Sequence, residues 1–352
     1  MSKYLHLVVK EIIRETSDAV TISFWHPVHQ AVSYKPGQFL TLIPEINGKK
    51  VRRSYSMSSS PHTDASLAIT VKRVPGGLVS NWLIDHLKVG DALEVMEPMG
   101  HFTPDLNANH ARHVVLFGAG SGITPLMSIA KSVLTIEPQS KVTLIYGNRI
   151  QEGIIFKKLL DNMEIKYAGR LEVQHILSQP NELWVGQTGR IGQGKAIHCV
   201  RELRINVADT DFFICGPEGM MEEVQKALKL LGAPAERVHQ EHFFVSHEES
   251  PMPIEEEDGS LKAQLVTVHY EGSEYQVEVK PHQTILEAFL DHDIDLPYSC
   301  QAGMCTACMG KCVQGKVKMD EEDGLTDKEI QQGYVLTCVA HPMSKDVVIE
   351  VE

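Results

Sequence analysis

Five of the chain's seven cysteines fall between positions 300 and 338. Cys300, Cys305 and Cys308 are spaced C-x4-C-x2-C, and Cys338 follows after 29 further residues. Four thiolates at this spacing can hold two irons as a [2Fe–2S] cluster, three from one loop and the fourth from a distant segment. Such a loop must turn tightly and aim backbone N–H groups at the sulfurs, and Gly303 permits the turn. A zinc knuckle would need a second C-x2-C pair, and the sequence has none. Cys312 is surplus and is read as structural. The expected metal ligands are therefore Cys300, Cys305, Cys308 and Cys338. A cluster of this kind passes one electron at a time, so the remaining residues must supply electrons singly.

Three further stretches carry chemistry. Gly118-Ala119-Gly120-Ser121-Gly122-Ile123-Thr124-Pro125 reads as a strand end, a glycine turn and a helix start, with Thr124 as N-cap and Pro125 in the first turn. Free N–H groups there can meet a phosphate and the glycines let it come close, so a dinucleotide is the expected ligand. The run from Arg52 to Pro61, RRSYSMSSSP, offers a guanidinium that can fork onto phosphate, a ring that can stack and small hydroxyls. By composition alone it is equally a polar surface strand. Cys215-Gly216-Pro217 closes an apolar run, the place where ligands of open α/β sheets bind. A thiol at such a place is more often inert than reactive.

The elements that must position these residues follow three rhythms. Up to about residue 106 short strands alternate with turn signals: Tyr4–Lys10, Val20–Trp25, Phe39–Ile43, Leu67–Val74 and Ala92–Glu97, with one helix near Leu78–Leu87. That spacing predicts a small antiparallel β-barrel. From His113 strands alternate with helices. Strands are expected at His113–Phe117, Lys141–Tyr146, Leu171–Leu177, Asp211–Ile214 and near Arg237–Phe243, and helices near Pro125–Leu134, Phe156–Met163, Lys195–Leu203 and Gly219–Leu231. This predicts an α/β domain with a parallel sheet covered on both faces. Residues 247–262 are acidic, hold two prolines and read as a linker. Then come a hairpin (Leu265–Tyr270 and Tyr275–Lys280), a helix over Ile285–His292 with a Thr284–Glu287 capping box, the cysteine loop and a closing strand at Asp346–Val351, which together make an α+β domain. The chain is thus multidomain, with expected boundaries 1–108, 109–246, 247–262 and 263–352.

Charge is divided unevenly. Residues 1–246 hold 26 Lys/Arg against 24 Asp/Glu, whereas residues 247–352 hold 7 against 22. The excess of negative charge in the cysteine-bearing part argues against nucleic-acid binding and suits either a basic partner face or simple solubility. No apolar run approaches the roughly 18 residues of a membrane span. The N-terminus lacks a signal-peptide pattern, so the protein is read as cytoplasmic.

Arg53-x-Tyr55-Ser56, then Gly76-Gly77-Leu78-Val79-Ser80, then Gly118-x-Gly120-x-Gly122-x-x-Pro125, then Cys215-Gly216-Pro217 together resemble the ferredoxin–NADP reductase superfamily over essentially the whole chain. The fused plant-type ferredoxin narrows the resemblance to reductase components of multicomponent oxygenases, in the branch of phenylacetyl-CoA epoxidase and ketosteroid hydroxylase reductases. The resemblance implies that the barrel is the flavin domain, residues 109–246 the NAD(P) domain, and the C-terminal domain a β-grasp ferredoxin. It implies that Arg53 binds flavin phosphate, Tyr55 stacks on the ring and Ser56 bonds its N5 edge. Val71, Lys72 and Gly76 to Ser80 would hold the rest of the flavin, with Ser80 at a helix start. Gly118, Gly120, Gly122, Thr124, Pro125, Gly216 and Pro217 would line the nucleotide site, Cys215 would sit by the nicotinamide, and Glu241 and Phe243 would approach the flavin. Tyr55, Ser56, Cys215 and Glu241 are then the residues nearest the chemistry. FAD is the flavin of this branch, although reductases resembling phthalate dioxygenase reductase use FMN.

The implied path runs from NAD(P)H through FAD and [2Fe–2S] to an oxygenase such as a diiron epoxidase, a Rieske oxygenase or a desaturase, because a flavin can split a hydride pair into single electrons. The linker would let the ferredoxin domain move, and its acidic surface would dock the partner. Arg149, with no acidic residue at its strand end to grip a ribose hydroxyl, points to NADPH. Two other readings stand at this point: the same carriers serving a hybrid-cluster protein or another acceptor, and a redox-responsive binding module.

Overall fold

The computed structural model describes residues 4–27, 31–243, 263–281, 283–301, 303–322, 324–325 and 327–351. The chain divides into two compact units, Met1–Phe243 and Phe244–Glu352. The expected linker, residues 247–262, lies outside the described residues.

The first half of the first unit is antiparallel. Its strands are β1 (Tyr4–Thr16), β2 (Ala19–Phe24), β3 (Phe39–Leu42), a small hairpin of β4 (Glu45–Ile46) and β5 (Lys49–Lys50), β6 (Arg53–Ser56), β7 (Leu67–Lys72) and β8 (Ala92–Met96), with α1 (Leu78–Asp85) between the last two. Six strands run in the order β6-β3-β8-β1-β2-β7. A bridge between Met57 and Ile69 joins the two ends and closes the barrel. Alternate residues such as Leu7, Val9, Ile22, Leu40, Leu42, Ile69 and Val71 fill it. Strand β1 runs past its expected end at Lys10. A register shift between Val9 and Glu11 lets one strand pair with β8 through its first half and with β2 through its second. The shift breaks the alternation that would have marked the extension.

The second half is wound around a parallel sheet: β9 (His113–Ala119), α2 (Ile123–Ile136), β10 (Lys141–Asn148), α3 (Lys157–Lys166), β11 (Leu171–Leu177), β12 (Gln187–Thr188), α4 (Gln193–Glu202), β13 (Asp211–Cys215), α5 (Glu218–Leu230) and β14 (Val238–Glu241). The order β12-β11-β10-β9-β13-β14 reverses direction at β9, so the carboxyl ends of β9 and β13 flank the switch point where ligands of such sheets bind. Separate apolar clusters cover the two faces.

Thr124 is not the N-cap. The glycines spend one 3-10 turn, Gly120–Gly122, before the α-helix begins, and Gly122 takes the cap position with no side-chain cap. The Thr124 hydroxyl donates instead to the Ser121 carbonyl at 2.7 Å, and Pro125 is the third helical residue. The N-terminal N–H groups of α2 are left without a side-chain acceptor.

The second unit contains β15 (Gln264–Tyr270), β16 (Ser273–Val279), α6 (Ile285–Asp291), β17 (Met309–Gln314), β18 (Val317–Met319), α7 (Asp327–Gln331), β19 (Tyr334–Leu336), β20 (Ala340–Pro342) and β21 (Val347–Val351). Its main sheet is ordered β16-β15-β21-β17-β19, with β15 and β21 parallel and the hairpin antiparallel. The hairpin turn is two residues shorter than expected, because Glu271 (φ 51°) and Gly272 (φ 76°) both take the left-handed conformation that a two-residue turn requires. The capping box is present: Glu287 N–H donates to Thr284 Oγ1 at 3.2 Å and Thr284 N–H to Glu287 Oε2 at 2.9 Å.

Candidate functional site

The first unit brings three separated motifs to one place. Ser56, at the end of β6, donates to Glu241 Oε2 at 3.1 Å across 185 positions of sequence. Glu241 lies opposite Cys215 in the β13–β14 ladder, and Cys215 lies opposite Gly118 in the β9–β13 ladder. The barrel strand carrying Tyr55 therefore meets the carboxyl edge of the parallel sheet. Gly122 makes the meeting tight: a Cβ on it would lie 2.0 Å from the Cys215 carbonyl oxygen. Its φ of −60° is ordinary, so the demand for glycine is steric and not conformational. A Cβ on Gly216 would lie 3.2 Å from Ala119 N, and Pro217 caps α5.

Electrostatics at this meeting point favour neutral groups. Burial pushes the Glu241 carboxyl up to about 8, against a smaller downward pull from the Ser56 hydroxyl. The side chain is still partly reached by solvent. Burial, and secondarily the Glu241 charge, hold the Cys215 thiol well above its usual range, so it is no nucleophile. Burial also raises the Tyr55 phenol. A raised carboxyl costs nothing in stability below its unfolded value near 4.5 and destabilises increasingly as pH rises through about 8. Glu241→Gln is therefore expected to gain thermal stability over the native chain progressively between pH 5 and 8 and to hold a constant advantage above. A difference in melting temperature independent of pH would contradict the assignment.

The other expected flavin contacts lie on β6, β7 and α1. The Arg53 guanidinium donates to the Arg52 carbonyl at 2.7 Å and has no carboxylate partner among the described residues, which suits a phosphate. Val71 is fully buried, so only its main chain could meet a ligand. Gly76 is exposed with φ +75°, and Gly77 is the uncapped N-cap of α1. Leu78 is half-buried and Val79 is buried. Ser80 is the third residue of α1, and its hydroxyl accepts from Val74 N–H at 3.2 Å. The Lys72 ammonium lies 3.7 Å from where a Cβ on Gly120 would be. Arg149 is exposed just past β10, next to Asn148, whose Nδ2 is buried without a hydrogen-bond partner among the described residues. Phe243, two residues past β14, is partly exposed.

In the second unit the four expected ligands converge. Cys308 Sγ lies 3.2 Å from Cys338 Sγ. The Cys300 thiol is the leading neighbour of both Cys305 and Cys338 and raises each of them, with burial and the remaining thiols acting in the same direction. Thiols crowded together and mutually raised are a donor set that wants a shared cation. Among the described residues no three His, Cys, Asp or Glu side chains surround a point fit for one metal ion. Four thiols, three from one loop and one from a distant segment, are a donor set that suits a centre with two irons. Gly303 has φ +70°, as the tight loop requires, and a Cβ there would lie 2.7 Å from Glu321 Cβ. Cys312 stands apart on β17, its thiol donating to the Gln314 carbonyl at 3.3 Å. Sequence reading missed Gly324, whose N–H donates to the Gly303 carbonyl at 2.8 Å and whose missing side chain leaves room for that carbonyl and Cys305 N. It also missed Thr337, which donates to the Cys308 carbonyl at 3.1 Å.

Known proteins show the same three parts. Residues 5–103 match the oxidoreductase FAD-binding domain, 116–226 the oxidoreductase NAD-binding domain and 268–343 the 2Fe-2S iron-sulfur cluster binding domain. The chain is 36% identical over 355 residues to a subunit of the 1,2-phenylacetyl-CoA epoxidase of Escherichia coli (strain K12), covering 99% of this chain and 98% of the relative. It is 38% identical over 357 residues to the ferredoxin reductase component of 3-ketosteroid-9-alpha-monooxygenase of Rhodococcus rhodochrous, covering 99% and 97%. The chain belongs to the family of oxygenase reductase components. Phthalate dioxygenase reductase shares the fold of this reductase, with a TM-score of 0.61 at 22% identity over 99% of this chain and 98% of its own. The cofactors are FAD, NAD(P)H and a [2Fe–2S] cluster, and the residues fit them: in the barrel a guanidinium with no carboxylate partner among the described residues and an uncapped helix N-terminus, a glycine turn in the sheet, and four converging thiols.

Proposed function

We propose that this reductase receives a hydride from NAD(P)H in the cleft where Ser56, Cys215 and Glu241 meet, and delivers single electrons through the Cys300–Cys338 centre to an oxygenase. The observation that carries this reading is the Ser56–Glu241 contact, which ties the barrel strand of Arg53 and Tyr55 to the nucleotide edge of the parallel sheet. A bound flavin supplies the conversion of a two-electron donor into single electrons. Arg53 and the N-terminus of α1 would hold its phosphates, Tyr55 would orient its ring, and Gly118, Gly120 and Gly122 would admit the dinucleotide. Glu241, raised by burial to about 8, keeps its carboxyl largely neutral at neutral pH while its Oε2 accepts from the Ser56 hydroxyl, and Cys215 fills the floor without charge. The functional parts are then residues 1–108, 109–246 and 263–352. Turnover of NAD(P)H with a one-electron acceptor tests the reading, and a chain that binds nucleotide but never turns over would refute it.

NADPH is the favoured donor. Arg149 is exposed at the end of β10 and pairs with no carboxylate among the described residues, as a 2′-phosphate site requires. Arg149→Ala is expected to raise KM for NADPH roughly tenfold and leave KM for NADH nearly unchanged, since a lost charged hydrogen bond costs about 1.5–3 kcal/mol. Equal changes for both donors would exclude the assignment.

The partner is expected to dock on the second unit. Asp291, Asp293 and Asp295 precede the cysteine loop, and Glu321 lies against Gly303 within it. A basic partner face would meet them, so electron delivery to the oxygenase should slow as ionic strength rises. A rate indifferent to salt would place the docking elsewhere. Among the described residues no helix is long and apolar enough to cross a membrane. Four of the seven cysteines are assigned to the cluster and none forms a disulfide, which supports a cytoplasmic location.

A further inference from the structure

The β1–β2 turn of the barrel reaches the glycine turn of the parallel sheet. Ala19 pairs with Lys72 in the β2–β7 ladder, and Arg73 N–H donates to the Asp18 carbonyl at 2.7 Å, so strand register sets Asp18 beside Lys72. Asp18 Oδ1 accepts from the Thr16 hydroxyl at 2.7 Å, which fixes the carboxylate. Its other oxygen lies 3.7 Å from Lys72 Nζ, a long pair between side chains that are 42% and 31% exposed. Arg73, the other cation near Asp18, is committed to Asp85.

Lys72 faces Gly120 on its other side, its ammonium within 3.7 Å of the place a Cβ on that glycine would take. Gly120 has φ +55°, and its carbonyl accepts from the Tyr146 hydroxyl at 2.8 Å. The mouth of the glycine turn therefore carries one anchored carboxylate, Asp18, and one exchangeable ammonium.

A pyrophosphate bound at this turn competes with Asp18 for the ammonium. We infer that Asp18 is a positioning residue for the dinucleotide: it keeps the Lys72 ammonium at the Gly120 turn yet competes for it, which weakens nucleotide binding and hastens release. The inference rests on the reading of Gly118 to Gly122 as the pyrophosphate site. It adds a barrel residue to that site, acting through another side chain. For a reductase that must exchange its nucleotide every turnover, a built-in competitor limits product inhibition.

The test is direct titration of the full, FAD- and cluster-loaded chain with NADP+ and with NAD+, read by the change in flavin absorbance. Asp18→Asn keeps the Thr16 hydrogen bond and the backbone carbonyl, so the turn should persist. It is expected to tighten both nucleotides roughly two- to fivefold, the range that a partly exposed ion pair supports. Asp18→Glu should restore the native affinity, and Lys72→Met should weaken binding. The double variant should bind as Lys72→Met does, because Asp18 acts through Lys72. Unchanged or weaker binding in Asp18→Asn would overturn the inference while leaving the site intact, provided Lys72→Met still weakens binding. The same tightening in the Lys72→Met background would also overturn it, since Asp18 would then repel the phosphates directly. Full affinity in Lys72→Met would overturn the inference, because the ammonium would then not meet the phosphates, and would leave the backbone reading of the glycine turn in place.

Discussion

Cys338→Ser is expected to abolish reduction of cytochrome c by NAD(P)H while ferricyanide reduction continues. Cys338 is buried, lies 3.2 Å from Cys308 Sγ and comes from a segment remote from the other three ligands. A serine hydroxyl at that place is harder, shorter and far less acidic than a thiol, so one iron would lose its anchor. Cytochrome c activity should fall by roughly a hundredfold or more, because the single-electron carrier is gone. Ferricyanide can be reduced at the first unit, whose cleft does not involve Cys338. Retained flavin absorbance would show that the first unit is intact. Persisting cytochrome c reduction in the variant would mean that these thiols do not carry the electrons.

Gly122→Ala is expected to be the most damaging single-methyl change at the glycine turn. The added carbon would meet the Cys215 carbonyl oxygen at 2.0 Å and its carbonyl carbon at 2.5 Å, both backbone atoms that cannot rotate away. Either α2 or the end of β13 must shift, at an overpacking cost of about 1–3 kcal/mol. Cys215 sits opposite Glu241, so the shift reaches the Ser56 contact. A displacement approaching 1 Å between nucleotide edge and barrel can lower the hydride step by roughly a hundredfold. Stopped-flow reduction of the bound flavin measures it. Gly120→Ala makes the contrast: it has φ +55° but open space apart from Lys72, so its penalty is conformational and should be milder. Equal rates in native and Gly122→Ala chains would show that the tight approach does not matter.

The cysteine centre and the glycine turn were readable in the sequence because each depends on spacing within a short segment. Thr284 and Glu287 were readable for the same reason, since a capping box is local. Long-range contacts left weaker traces. Ser56 and Glu241 were named by resemblance, yet their hydrogen bond spans two sheets and no periodicity encodes it. Lys72 was likewise named by resemblance, and that its ammonium lies near Gly120 follows from strand register, which no local pattern encodes. Strands β17 to β20 escaped notice because they are short, mixed in polarity and interrupted at Gln314 by a register shift. Thr124 looked like a cap because a 3-10 turn before an α-helix has no sequence mark of its own.

One chain of carriers from nucleotide to cluster is the central claim. Anaerobic titration of the loaded protein with NADPH, and separately with NADH, while recording the visible spectrum, tests it most directly. A two-electron flavin and a one-electron cluster together take three electrons, so flavin and iron–sulfur absorbance should both bleach and be complete near about 1.5 equivalents of donor. Bleaching that ends at one equivalent with the iron–sulfur absorbance untouched would contradict the account.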